Sequence, residues 1–172
     1  LFRSHALSII TSTENQYSVF LDALKFGKPI LIEKPISINP DELNLIVKNE
    51  DISKVIVNLN RRHYKSVQSL KKLIQRNIKN MSFVVNIPEF TWDLNPEEQY
   101  AKSYFIDNSV HVIDIINYLF GNVREITAVK TKQSNLPNIA AVCRTNSGAV
   151  GTFNISFSSS ANISIKIRRA HV

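Results

Sequence analysis

The chain is poor in the residues that most often announce a function: among 172 residues there are one cysteine, one methionine, one tryptophan and four glycines. A lone cysteine, Cys143, excludes an intrachain disulfide framework and a multi-cysteine metal site. It sits in an apolar strand-like run and reads as a buried structural thiol rather than a nucleophile. The glycines, Gly27, Gly121, Gly148 and Gly151, include no pair spaced as a strand–turn–helix phosphate cradle. They also provide no nucleophile elbow for serine catalysis. No apolar run approaches the ~20 residues that span a bilayer, and Leu1-Phe2-Arg3-Ser4-His5 does not read as a secretory signal. No membrane partner is expected, and the expected compartment is the cytoplasm.

Acidic residues are also in deficit, with 14 Asp and Glu against 21 Lys and Arg and a net charge of +7. The excess concentrates in Arg61, Arg62, Lys65, Lys71, Lys72, Arg76 and Lys79. A basic stripe of this kind can hold a phosphorylated ligand or nucleic acid. Here it coincides with a helix whose other face is apolar, and no aromatics interleave to stack bases. A solvated helix face is therefore favoured over a nucleic-acid surface.

What is present is a regular alternation of apolar strands and amphipathic helices. Leu7 to Ile10, Pro29 to Ile32 and Lys54 to Leu59 read as strands, the second of them apolar on both faces as in a covered parallel sheet. Between the first two, Val19, Phe20, Ala23 and Leu24 mark a helix with Gly27 at its C-terminal cap. Between the next two, Asn39 as N-cap, Pro40 at the first position and Asp41 and Glu42 in the first turn open a helix. Its expected apolar stripe is Leu43, Ile46 and Val47. A helix from about Ser66 to Ile78 is expected to bury Val67, Leu70, Leu73 and Ile74.

After Met81 strands dominate: Ser82 to Ile87, Val123 to Lys130, Ile139 to Thr145, Ala149 to Phe157 and Asn162 to Arg168. Residues 88–100 read as a polar loop, followed by a helix from about Asn108 to Phe120. Asn146-Ser147-Gly148 reads as a hairpin turn. The expected fold is α/β plus α+β: residues 1–62 as the remainder of a Rossmann-type parallel domain, then residues 63–172 around a mainly antiparallel open sheet.

Two stretches carry chemistry. Lys34 follows a buried strand and precedes Pro35, which restricts its backbone. Ligands of open parallel sheets gather at the carboxyl ends of the strands, where an ammonium can favour a developing alkoxide. The competing reading is an ordinary surface lysine. In the later helix, Asp107, His111, Asp114 and Tyr118 share one face at helical spacing, opposite Val112, Ile116 and Leu119. A histidine beside carboxylates suits general base work near neutrality, although such a stripe, taken alone, is more often the solvated side of an amphipathic helix. With no second histidine in the segment and no cysteine pair, no metal site is expected.

Taken in order, these segments resemble the glucose–fructose oxidoreductase and inositol dehydrogenase family, Gfo/Idh/MocA. The resemblance rests on Ile9-Ile10-Thr11-Ser12, Ala23-Leu24-Lys25-Phe26-Gly27-Lys28, Ile32-Glu33-Lys34-Pro35 and Asn60-Arg61-Arg62-His63. It continues in His111-Val112-Ile113-Asp114, Leu119-Phe120-Gly121 and Gly148 to Phe153. It implies hydride transfer between NAD or NADP and a hydroxyl-bearing carbon of a sugar, polyol or sugar nucleotide. By position, Lys34 touches substrate and cofactor, His111 is the general acid/base, and Asp107 supports it. Thr11, Ser12, Gln16 and Glu33 lie against the cofactor, with Ser12 and Gln16 standing where many members carry Pro and His. Arg62, Asn108 and Asp114 are the expected substrate contacts.

The resemblance also implies that a first βαβ unit with its glycine fingerprint is missing, so that the chain is a fragment without turnover of its own. The alternative is an inactive remnant or interaction module. Either form is expected to build a homo-oligomer through the antiparallel sheet, using the side that carries Ala149, Gly151, Phe153 and Ile155.

Overall fold

The computed structural model describes residues 4–88, 100–131, 138–156 and 163–169, with side chains throughout except at Asn49, residues 100–108 and Arg169. The chain separates into two compact units, Leu1–Asn60 and Arg61–Val172.

The first unit is a parallel sheet of three short strands, β1 (Leu7–Ile9), β2 (Ile30–Ile32) and β3 (Val55–Val57), in that order. Helices α1 (Thr13–Leu24) and α2 (Pro40–Asn49) make the crossovers. Asn39 caps α2 by accepting the Asp41 N–H at 3.0 Å, as its sequence indicated. Ile9, Phe20, Ala23, Ile30, Ile32 and Ile46 form the core. Of the expected α2 stripe, only Ile46 is buried, and Leu43 and Val47 are exposed. The sheet is also covered on one face alone. Ile30 and Ile32 are buried, whereas Leu31 and its register neighbour Ile56 are 45% and 66% exposed.

The second unit is a five-stranded sheet in the order β5-β6-β7-β4-β8, with β4 (Met81–Pro88), β5 (Val123–Lys130), β6 (Ile139–Thr145), β7 (Val150–Ser156) and β8 (Ser164–Arg169). It is mixed rather than purely antiparallel: β4 runs parallel to β7, and the other three pairings are antiparallel. Helix α3 (Lys65–Ile74) is shorter than expected and continues as a 3-10 segment, Gln75–Asn80, with non-helical angles at Asn77. Leu73, expected inside, is 71% exposed. Helix α4 (Tyr100–Phe120) starts eight residues before the expected Asn108. Most of the expected 88–100 loop lies outside the described residues.

The core of this unit joins α4 to one sheet face through Val112, Ile116, Leu119, Phe120, Phe83, Val85, Ile87, Phe153 and Ile155. Phe83 stacks on Phe120, with ring centroids 4.7 Å apart, and meets Phe153 edge-on at 5.9 Å. Gly151 lies directly beneath Phe83; a Cβ there would overlap the ring. This corrects the expected oligomer surface. Ala149, Gly151, Phe153 and Ile155 are buried, because they pack in the core, and the open face instead carries Ala140, Val142, Asn154 and Lys166. On that open face, Asn154 donates to Asn86 at 3.0 Å, and Asn86 donates to Ser164 at 3.1 Å.

Candidate functional site

In the first unit the candidate residues collect after the carboxyl ends of the parallel strands. Thr11 and Ser12 follow β1 and are exposed, with the Ser12 hydroxyl accepting from Asn15 at 3.1 Å. Glu33, Lys34 and Pro35 follow β2. The Lys34–Pro35 peptide is cis. Lys34 is half-buried and Pro35 buried.

Gln16 and Glu33, expected against a cofactor, are both engaged with the protein. Gln16 in α1 is 1% exposed. Its side-chain amide donates to the Glu33 carbonyl and, at 3.0 Å, to the Pro35 carbonyl. The Glu33 carboxylate accepts from the Asn58 amide at 2.5 Å, and the Asn58 N–H donates to the Ile32 carbonyl at 2.8 Å. Asn58 was missed from sequence, although it stands just after β3, where ligand-side residues of such sheets belong. Downstream, the Ser37 hydroxyl accepts the Asn39 N–H at 2.9 Å and donates to Glu42, which ties the turn to the start of α2.

In the second unit the described part of the α4 polar stripe does not lie open to solvent. His111 and Asp114 are 9% and 8% exposed, and Ile113 is the residue turned outward. A carboxylate leaves water only with compensation, and Arg62 supplies it. Arg62 Nε donates to Asp114 Oδ2 at 3.0 Å, while Nη2 donates to Asp114 Oδ1. This bidentate bond holds the Arg62 guanidinium above its usual pKa, against the opposing effect of burial. The Tyr118 ring lies 5.6 Å from Arg62 Cζ and 3.7 Å from Lys71 Nζ, a cation–π arrangement the sequence did not reveal. The structure thus joins Arg62 to Asp114, two of the expected substrate contacts. Asp107 and Asn108 are on α4, but their side chains lie outside the described residues.

Each glycine has a structural task. Gly27, Gly121 and Gly148 take positive φ, and Gly151 makes room for Phe83. Burial pushes the Cys143 thiol above its ordinary pKa, partly offset by a bond from the Gly151 backbone, consistent with a structural thiol. Among the described residues no group of His, Cys, Asp and Glu is arranged to hold a metal, and no helix is long and apolar enough to cross a membrane.

Two family models match the chain. Residues 3–61 match a model described as an oxidoreductase family with an NAD-binding Rossmann fold, and residues 78–168 match the GFO/IDH/MocA C-terminal domain. A curated relative, Oxidoreductase P35 of Formosa agariphila, is 26% identical over 148 residues, covering 77% of this chain and 46% of the relative. An oxidoreductase from Thermotoga maritima superposes with a TM-score of 0.75 at 21% identity, covering 95% of this chain and 55% of that one. The WlbA dehydrogenase from Bordetella pertussis, solved with NADH and UDP-GlcNAcA, gives 0.73 at 20% identity over 97% and 57%. A myo-inositol dehydrogenase from Corynebacterium glutamicum gives 0.70 at 19% over 95% and 53%. The chain spans about half the length of these relatives. With the C-terminal model alone covering more than half of its residues, the chain belongs to the GFO/IDH/MocA oxidoreductase family.

Proposed function

We propose that this chain is the part of a nicotinamide-dependent oxidoreductase that performs proton chemistry on a sugar, polyol or sugar-nucleotide hydroxyl. The observation that carries the reading is the burial of His111 and Asp114 on α4 in a chain of this family. An imidazole and a carboxylate kept from water on an apolar helix need a reason beyond solubility.

The residues present fit one half of a dinucleotide. The exposed Thr11 and Ser12 hydroxyls at the strand ends suit a ribose or an amide. The pyrophosphate would need a glycine cradle, and all four glycines are otherwise occupied. The proposal therefore includes a glycine-bearing half that completes the dinucleotide domain. The bare face at Leu31 and Ile56 supports this, since parallel sheets are normally covered on both sides.

Bound nicotinamide would supply a hydride acceptor. The role proposed for His111 is to take the proton of a substrate hydroxyl, and that for Lys34 is to donate a hydrogen bond to an oxygen that gains charge. Asp107 supports His111 from one turn earlier on α4. Arg62, held by Asp114, places its remaining N–H groups for a substrate hydroxyl, and Asn108 offers an amide.

Fluorescence titration with NADH and NADPH, on this chain and on a version completed with a glycine-bearing half, tests the reading. Binding by the completed protein alone is expected. His111→Asn in that protein should lower turnover by about 10²–10⁴-fold and leave cofactor affinity in place; unchanged turnover would remove His111 from the mechanism. A completed, folded protein that binds neither cofactor would support the second reading, an interaction module. That reading draws on the open sheet face, which carries the exposed Val142 and the Asn154–Asn86–Ser164 ladder, and places a homo-oligomer contact there.

A further inference from the structure

We propose that Gln16 is a positioning residue for Lys34, a clamp on the two carbonyls that bracket it, rather than a cofactor contact. The inference rests on the reading of Lys34 as a reacting group and adds the device that aims it.

The carbonyl of Glu33 belongs to the peptide plane entering Lys34, and that of Pro35 to the plane leaving the Lys34–Pro35 pair. Gln16 Nε2 donates to both. Because both partners are acceptors, the NH₂ group must be the end that faces them, and its two hydrogens are fully used. Pro35 has its φ set by its ring, so fixing the two outer planes leaves Lys34 little backbone freedom. The direction of its Cα–Cβ bond is thereby set.

Three further features fit a clamp. Gln16 is 1% exposed, so the amide is desolvated and a lost bond leaves a carbonyl unsatisfied in place. It stands in the first half of α1, four residues before Phe20, which is fully buried in the core of the first unit, so its base is rigid. Asn58, just after β3, holds the Glu33 carboxylate. The Glu33–Lys34–Pro35 segment is thus tied to both neighbouring elements, and Lys34 is the residue between the ties. A histidine at position 16 would donate from one ring nitrogen and could hold only one of the two carbonyls.

The test uses the 172-residue chain and needs no cofactor. Backbone ¹⁵N order parameters are measured for Glu33, Lys34 and Ile36 in wild type, Gln16→Met, Gln16→His and Phe20→Leu. Gln16→Met keeps the length of the side chain and removes both donors; Phe20→Leu weakens the same core without touching the clamp. In wild type these residues should read as rigid backbone, about 0.85, and in Gln16→Met they should fall below about 0.6. Gln16→His should restore an intermediate value, and Phe20→Leu should leave the segment rigid. Unchanged order in a folded Gln16→Met, or an equal loss in Phe20→Leu, would overturn the clamp. Failure of the underlying reading would appear separately, as full turnover of Lys34→Met in the completed protein with the clamp intact.

Discussion

Arg62 engages both carboxylate oxygens of Asp114, through Nε at 3.0 Å on Oδ2 and through Nη2 on Oδ1. The two ends differ in access to water: the Arg62 side chain is 36% exposed and that of Asp114 8%. The pair ties the 3-10 segment Asn60–His63 to the middle of α4, one turn from His111. Its burial explains how a polar stripe is tolerated inside the unit.

That asymmetry gives a prediction of sign. Arg62→Met strands a buried carboxylate, at a cost of about 3 kcal/mol, towards the lower end for a broken buried pair because Arg62 keeps some solvent. Asp114→Asn leaves a guanidinium that water can reach and an amide that still accepts, costing about 1 kcal/mol. Urea midpoints compare the two. Equal losses would mean that the pair is a surface bridge in energetic terms.

Gly151 should tolerate no side chain. A Cβ there would overlap the Phe83 ring, and Phe83 is itself held by Phe120 and Phe153. Gly151→Ala should destabilise by about 1–3 kcal/mol through overpacking, and Phe83→Leu in the same chain should recover part of the loss. A neutral Gly151→Ala would show that the aromatic cluster has room to shift.

The strand ends and caps were legible in the sequence where local chemistry decides them. β5 and β6 run as read, and Asn39-Pro40 opens α2 as read, because caps and alternation act over a few residues. Burial of a helix face depends instead on what lies across from it. Leu73 and Val47 satisfy helical periodicity yet remain exposed, whereas His111 and Asp114 look like a solvated stripe and are buried. Nothing near Asp114 in sequence announces Arg62, 52 residues away. The parallel β4–β7 pairing was equally hidden, since alternation is the same for both strand directions. Glu33-Lys34-Pro35 was found as a motif, but the hydrogen bonds that hold it come from Gln16 and Asn58, residues whose types are common and whose roles are set by distance in space.

The Cys143 thiol gives a pH signature. Burial is the main reason its pKa in the folded state lies above the ordinary thiol value. The folded state therefore holds the proton more tightly than the unfolded one. The associated stability is complete below the unfolded pKa and is lost as pH rises through the folded value. Unfolding free energy should decline above about pH 8.5 more steeply in wild type than in Cys143→Ala, and alkylation of native protein at pH 8 should be slow. Matching alkaline slopes would place the thiol in contact with solvent.

The uncovered face of the parallel sheet separates a free unit from one awaiting a second layer. Leu31 and Ile56 are register neighbours on β2 and β3 and are exposed, while Ile30 and Ile32 of the same strand are buried. In the isolated chain, a lysine at position 56 meets water and should change stability by no more than about 0.5 kcal/mol. If a glycine-bearing half covers this face, the same lysine must bury its charge in the completed protein, where desolvation costs several kcal/mol. Ile56→Lys should therefore leave the unfolding midpoint of the chain nearly unchanged and abolish stable association with the added half, measured by size exclusion and by loss of NADH binding. Ile32→Lys, placed in the core, should unfold the first unit in both settings. Normal association of an Ile56→Lys chain would mean that this face stays in water and that any completion of the domain leaves it bare.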